Sequence, residues 1–188
     1  MEKWSDIKSE IINTGFETST AYEKNKSRII EAVNRAVLDI AGFMPINKVH
    51  TVSQEASTMY DLSELIPDML SFADKVYKAG TVDPAVWKSA TLERILIEGS
   101  GDFDIYYHKK PNVVDETSAD DFTFGLHPEA MNLVPLLASF YVWLDDDAQK
   151  ATMYQNMYDS AKQALLQRRL ERERRPRATI NTSFKRYL

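Results

Sequence analysis

HPEAMNLVPLLASFYVW (residues 127–143) and AQKATMYQNMYDSAKQALLQ (148–167), joined through Leu144-Asp145-Asp146-Asp147, are the stretch that decides the fold. Each arm is long enough to form a helix and pack on the other, so the pair reads as an aromatic helical hairpin hinged at the acidic cluster. Pro128 suits a first helical position, where no backbone N–H is needed, and Glu129 falls near the positive end of the helix dipole. Pro135 removes a donor inside the pattern and crowds the preceding turn, so the first arm should kink or restart there. In the second arm Ala151, Tyr154, Met157, Tyr158, Ala161 and Leu165 recur at helical spacing and should face inward. Past Gln167 charges crowd out that stripe. The remainder, RRLERERRPRATINTSFKRYL (168–188), is a basic tail with few apolar residues, expected to need a partner to become ordered. Pro176 should end any helix that enters it, leaving a flexible terminus.

Upstream of the hairpin, Trp4, Ile7, Ile11 and Ile12 share one face of a short helix over residues 2–14, interrupted at Gly15. Thr20 and Glu23 fit a capping box, in which hydroxyl and carboxylate satisfy orphan N–H groups at a helix start. The stripe Ile29, Ile30, Val33, Val37, Ile40, Ala41 then runs until Gly42 and Pro45 stop it. From Ile46 to about Phe124 the period shortens. KVHTVSQ (48–54), STMYDLS (57–63), LSFADKVYKAG (70–80) and FDIYYHKK (103–110) are β-branched or aromatic and separated by Pro, Gly or Asp turns. Residues 84–97 read as a short helical piece or an irregular strand, and Gly99-Ser100-Gly101-Asp102 as a turn. The expected fold is α+β: a mainly helical bundle from residues 1–45 and 125–167, a small antiparallel β-lobe inserted at 46–124, and an extended basic C-terminal arm at 168–188. There is no internal repeat.

A chain of 188 residues that is 44% hydrophobic can bury one real core and a small second lobe. The net charge of −5 hides an asymmetry. Arg168, Arg169, Arg172, Arg174, Arg175, Arg177, Lys185 and Arg186 stand against Glu171 and Glu173, a local +6 that leaves −11 on the rest. An acidic body with a basic arm favours docking of the arm on an acidic surface over body-wide nucleic-acid binding. With no cysteine there is no disulfide, thiolate nucleophile or cysteine-ligated metal. The polar opening segment has no apolar signal core, and no uncharged run is long enough to cross a bilayer, so secretion and membrane insertion are not expected.

The sequence carries little that points to catalysis. Six glycines never fall in a phosphate-cradling order, the serines form no nucleophile elbow, and His50, His108 and His127 offer no triad spacing. Aspartate pairs occur at Asp102/Asp104, Asp120/Asp121 and Asp145 to Asp147. Such pairs can bind calcium or act as acid and base, but no calcium-loop pattern or histidine partner accompanies them. Placement in turns, in a polar loop and ahead of a helix favours structural roles for them. No enzymatic activity, cofactor or metal is expected.

The tail arginines have three readings: a solvated helix end, a nucleic-acid contact or a protein-docking arm. Phe184, Tyr187 and Leu188, large apolar groups beside Lys185 and Arg186, favour docking, since a merely soluble tail would not require them. A nucleic-acid-binding regulator using the same arginines is the alternative. The order of motifs resembles the head-to-tail adaptor (connector) proteins of tailed bacteriophages. MYDLSELIPDMLSFADKVYKAG (59–80) resembles that family's strand-turn-strand, FDIYYHKKP (103–111) its aromatic strand closed by Lys-Pro, and residues 124–165 its closing helical hairpin. Ser63 departs from the pattern, where relatives often have proline. The likeness spans about residues 20–166. It implies a mechanical role in the virion, assembled in the host cytoplasm: a ring, commonly of twelve copies, beneath the portal protein. Neighbouring adaptors and a downstream tail or head-closure protein would be partners, with genomic DNA as passing cargo and no membrane. The portal would then be met by Arg168, Arg169, Arg172, Arg174, Arg175, Arg177, Phe184, Lys185, Arg186, Tyr187 and Leu188.

Overall fold

The computed structural model describes residues 3–16 and 19–174. A first helix, α1 (Trp4–Ile12), buries Trp4, Ile7 and Ile11 along one stripe. The long α2 (Ser19–Phe43) follows, with Ile29, Val33, Ala36, Val37 and Ile40 excluded from solvent. Because α2 begins at Ser19, Thr20 lies inside its first turn and does not cap it. The chain then forms six strands, the short 3-10 helix Pro128–Leu133, α4 (Val134–Trp143) and α5 (Ala148–Arg174). Pro135 sits in the first turn of α4, where its missing N–H costs nothing, so the first arm restarts there as the sequence predicts.

The middle of the chain departs from expectation. Strands β1 (Ile46–Gln54), β6 (Gly101–Lys109) and β3 (Met69–Lys78) form one antiparallel sheet with β6 at its centre. Strands β2 (Thr58–Asp61), β5 (Arg94–Ile97) and β4 (Trp87–Ser89) form a second, with β5 central. Residues 84–97, expected as a helical piece or irregular strand, supply both β4 and β5 and so create that second sheet. Ile95 and Ile97 point inward from it to meet Val52, Val76, Phe103 and Ile105 of the first sheet, with Leu62 and Ile66 of the one-turn helix α3 (Leu62–Leu65) between them. The molecule is therefore not a mainly helical bundle carrying a small lobe. It is α+β with two three-stranded antiparallel sheets, 47% helical and 25% strand among the described residues, and the paired sheets enclose an apolar core of their own. Each large aliphatic side chain buried there contributes roughly 1.5–3 kcal/mol.

Local chemistry explains the joints. The Asp61 carboxylate accepts from the Ser63 hydroxyl at 2.7 Å and amide at 3.2 Å, and pairs with Arg94 at 3.0 Å, tying α3 to β5. Proline at 63 would supply neither donor, so serine is the residue that completes this particular turn. Strand β3 bulges around Asp74, which stands at φ 54 in the left-handed region that aspartate tolerates. A second apolar cluster joins α1, α2, the 3-10 helix, α4 and α5, with Val114, Phe124 and Leu126 leading in from the loop after β6. Among the described residues no helix is long and apolar enough to cross a membrane.

Two glycines separate packing from flexibility. At Gly15, φ is +145 and an added Cβ would lie 2.8 Å from the Trp143 ring, whereas at Gly42 it would meet nothing within 4 Å. Gly15→Ala should lower stability by about 1–3 kcal/mol, and Gly42→Ala should leave it unchanged or raise it by up to about 1 kcal/mol, measured by urea unfolding.

Candidate functional site

The hairpin that carries the basic segment is fastened at its hinge. Asp147 caps α5, accepting from the Gln149 amide at 3.1 Å and the Lys150 amide at 3.0 Å, a contact worth about 1 kcal/mol. Asp146 pairs with Arg28 of α2 at 2.5 Å, and Arg28 also donates to the Val142 carbonyl. Trp143 stacks on Phe16 with ring centroids 5.0 Å apart, donates to the Thr14 hydroxyl and lies under the Lys150 ammonium. Tyr141 donates to Asp39 and receives Arg35 over its ring, and its phenol is pushed up to about 12, first by burial and then by the Asp39 hydrogen bond. Asp147 and Asp146 of the acidic hinge thus serve in capping and ion pairing, while Asp145 is exposed at the edge of a cleft with Arg28 and Arg35.

From this anchor α5 runs 27 residues. Ala151, Tyr158 and Leu165 are buried and Tyr154 and Ala161 half-buried, but Met157, expected to face inward, is 47% exposed. The helix also passes the point where an extended arm was expected: residues 168–174 continue α5. Leu, Arg, Gln and Glu are all good helix formers, and Gln167 reaches Glu171 one turn on, so loss of the apolar stripe does not end the helix. Arg168 and Arg172 are exposed, Arg169 is half-buried, and Arg174 is the last helical residue described. Arg175, Arg177, Phe184, Lys185, Arg186, Tyr187 and Leu188 lie outside the described residues.

The basic end of α5 rests on the 3-10 helix. Arg168 and Arg172 line a shallow depression of about 130 Å³ with Glu129, Asn132 and Leu165, and Arg172 forms an ion pair with Glu129. The Arg172 hydrogen bond, followed by the charges of Arg172, His127 and Arg169, holds the Glu129 carboxyl below the usual carboxylate range against the opposing effect of desolvation. His127 caps the same helix by accepting from the Glu129 amide at 3.3 Å. Sequence reasoning placed Glu129 at a helix start without seeing its partner, because the pair spans 43 residues and no local pattern marks it.

The remaining sequence candidates are dispersed. Asp102 and Asp104 accept from Ser53 at 2.5 Å and Thr51 at 2.7 Å across the β1–β6 ladder, and Asp120 pairs with Lys8 at 2.6 Å. His108 bonds Ser71 at 2.9 Å. Among the described residues no three His, Asp or Glu side chains converge in a way that could hold a metal ion. Among the described residues, a cleft of 450 Å³ lies by Ile66, Met69, Phe72 and Leu92 in the sheets, and one of 330 Å³ by Arg28, Glu31, Arg35 and Tyr141. Comparison with protein-family models and with curated proteins finds no match to the chain.

The Glu129 pair makes a pH prediction. Its carboxyl titrates lower in the fold than in the unfolded chain, so its contribution is complete above the ordinary carboxylate range and is lost as pH falls through the depressed folded value. Urea midpoints should place the native chain above Glu129→Gln at pH 7, with a smaller gap at pH 3. An equal gap at both pH values would contradict this assignment.

Proposed function

We propose that the chain is a structural head-to-tail adaptor of a tailed phage, one subunit of a ring beneath the portal that extends the DNA channel and offers tail components a docking surface. One observation carries the reading: α5 is seated on the core through Ala151, Tyr158 and Leu165 and continues unbroken into Arg168–Arg174. A basic segment delivered on a rigid, core-anchored helix pays little ordering entropy when it docks on an acidic partner. The charge division supports the same role, with +6 on residues 168–188 and −11 on the rest. A predominantly negative channel wall lets DNA pass without adhering, while the arginines hold acidic portal surfaces through charge-assisted hydrogen bonds. The work is mechanical, and the portal-binding residues are those of the basic C-terminal segment, Arg168 through Leu188.

The competing reading, a nucleic-acid-binding regulator, uses the same arginines, and one titration separates the two. Full-length chain should bind isolated portal rings. A chain ending at Gln167 should keep a cooperative unfolding transition, losing only the helical signal of residues 168–174, and bind at least about 100-fold more weakly, a loss of ~2.7 kcal/mol. Undiminished binding by the shortened chain would remove the arm from the interface. Absence of portal binding together with steeply salt-dependent duplex binding would favour the regulator.

A further inference from the structure

The outward surface of α5 differs in kind from that of α2. Between Ala148 and Gln167, α5 has thirteen exposed positions, and Asp159 is the one charge among them. The exposed positions of α2 number nine, of which Glu23, Lys24, Glu31, Arg35 and Asp39 are charged. A solvated helix face in a chain that is 27% charged should resemble that of α2. Loss of charge together with exposed methionine is instead the composition of a protein–protein contact. Met153 and Met157, each 47% exposed, lie on this surface.

These residues have an order. Met153, Met157, Ser160 and Ala164, all exposed, follow one another at the alternating four- and three-residue steps of a coiled-coil seam. On a helix of 3.6 residues per turn they keep within about 60° of one another, about 130° around from buried Ala151, Tyr158 and Leu165. Asp159 falls away from them, also by about 130°. So α5 carries a second stripe, one that its own core does not cover. The stripe has two long side chains at one end and two short ones at the other. Turned end for end, it fits itself: in an antiparallel pair, Met153 meets Ala164 of the second copy and Met157 meets Ser160, with both contacts repeated across the two-fold axis. Large faces small at all four contacts, so the helices can approach closely. A parallel pair would set methionine against methionine and leave a gap at Ser160 and Ala164.

Charge selects the same orientation. Residues 168–174 of α5 carry Arg168, Arg169, Arg172 and Arg174 against Glu171 and Glu173, and the opposite end of the helix follows Asp145-Asp146-Asp147. An antiparallel pair brings the basic end of each α5 alongside the acidic hinge of the other, whereas a parallel pair sets like against like. Arg168 and Asp145 are exposed, and among the described residues neither is in an ion pair, so both are available for this contact. We propose that two copies of the chain pair antiparallel through the Met153–Met157–Ser160–Ala164 stripe of α5. The end-for-end match of large with small and of basic with acidic is what names a second copy as the occupant. Docking on a portal through the same helix ends would require the pair to separate.

The absence of cysteine makes the register testable by disulfide trapping in the full-length chain. Met153→Cys and Ala164→Cys change exposed positions and are prepared separately, one with an affinity tag that alters its gel mobility. Oxidised together, they should give the mixed dimer. Oxidised alone, neither should cross-link, because each position lies about 16 Å along the helix from its own copy, beyond the reach of a disulfide. Homodimers from either variant alone, or no mixed dimer, would overturn the proposal. Sedimentation equilibrium of the native chain should rise with concentration toward twice its 21.5 kDa mass. Ser160→Glu, which buries a charge against Met157 of the second copy, should weaken that association at least about 10-fold with an unchanged urea midpoint. A native chain that stays monomeric, or an association that Ser160→Glu leaves intact, would contradict it. No portal is present, so a negative result leaves the adaptor reading standing, and failed portal binding leaves this one standing.

Discussion

The burial of α4 on every side is the constraint on which the helical part of the molecule depends. None of its ten residues is exposed, and Val134, Leu137, Ala138, Ser139 and Val142 are fully inside. A helix that is apolar all round cannot form at a surface, so α1, α2 and α5 must enclose it. The 3-10 turn ahead of it and the acidic hinge behind it then fix both ends of the hairpin. With α4 central, α5 has one permitted seat, and the direction in which its basic end leaves the body is settled by core packing.

The two sheets obey a separate rule. Nine-residue β1 and β6 pair in continuous register from Ile46↔Lys109 to Gln54↔Gly101, which places Val52, Phe103 and Ile105 on one face. That face needs a cover, and the three short strands of the second sheet provide it. The Gln54 amide, donating to the Ile97 and Gly99 carbonyls at 3.0 and 2.8 Å, locks the two layers together.

Much of this was legible in the sequence because its signals are local. The stripe of α2, the restart at Pro135 and the capping role of the hinge each follow from spacing within one or two turns. The second sheet was not, since β4 and β5 are three and four residues long, too short for alternation to register, and gain their identity only by pairing, β5 with β2 and β4 with β5. The extent of α5 was misread because the apolar stripe fades where helix propensity does not. Met157 was assigned inward by periodicity although it lies on the flank of the buried stripe. Of the proposed docking residues, the sequence marked the arginines by their density, but the Glu129–Arg172 contact at the end of α5 is a tertiary fact.

The central claim is that this acidic body and its basic helix end are built to assemble with a portal. Direct imaging of particles formed by mixing the full-length chain with portal rings tests it most directly. The account predicts a continuous ring of adaptor density seated on one end of the portal, with each α5 directed toward it. Portals that remain bare at saturating chain would contradict it.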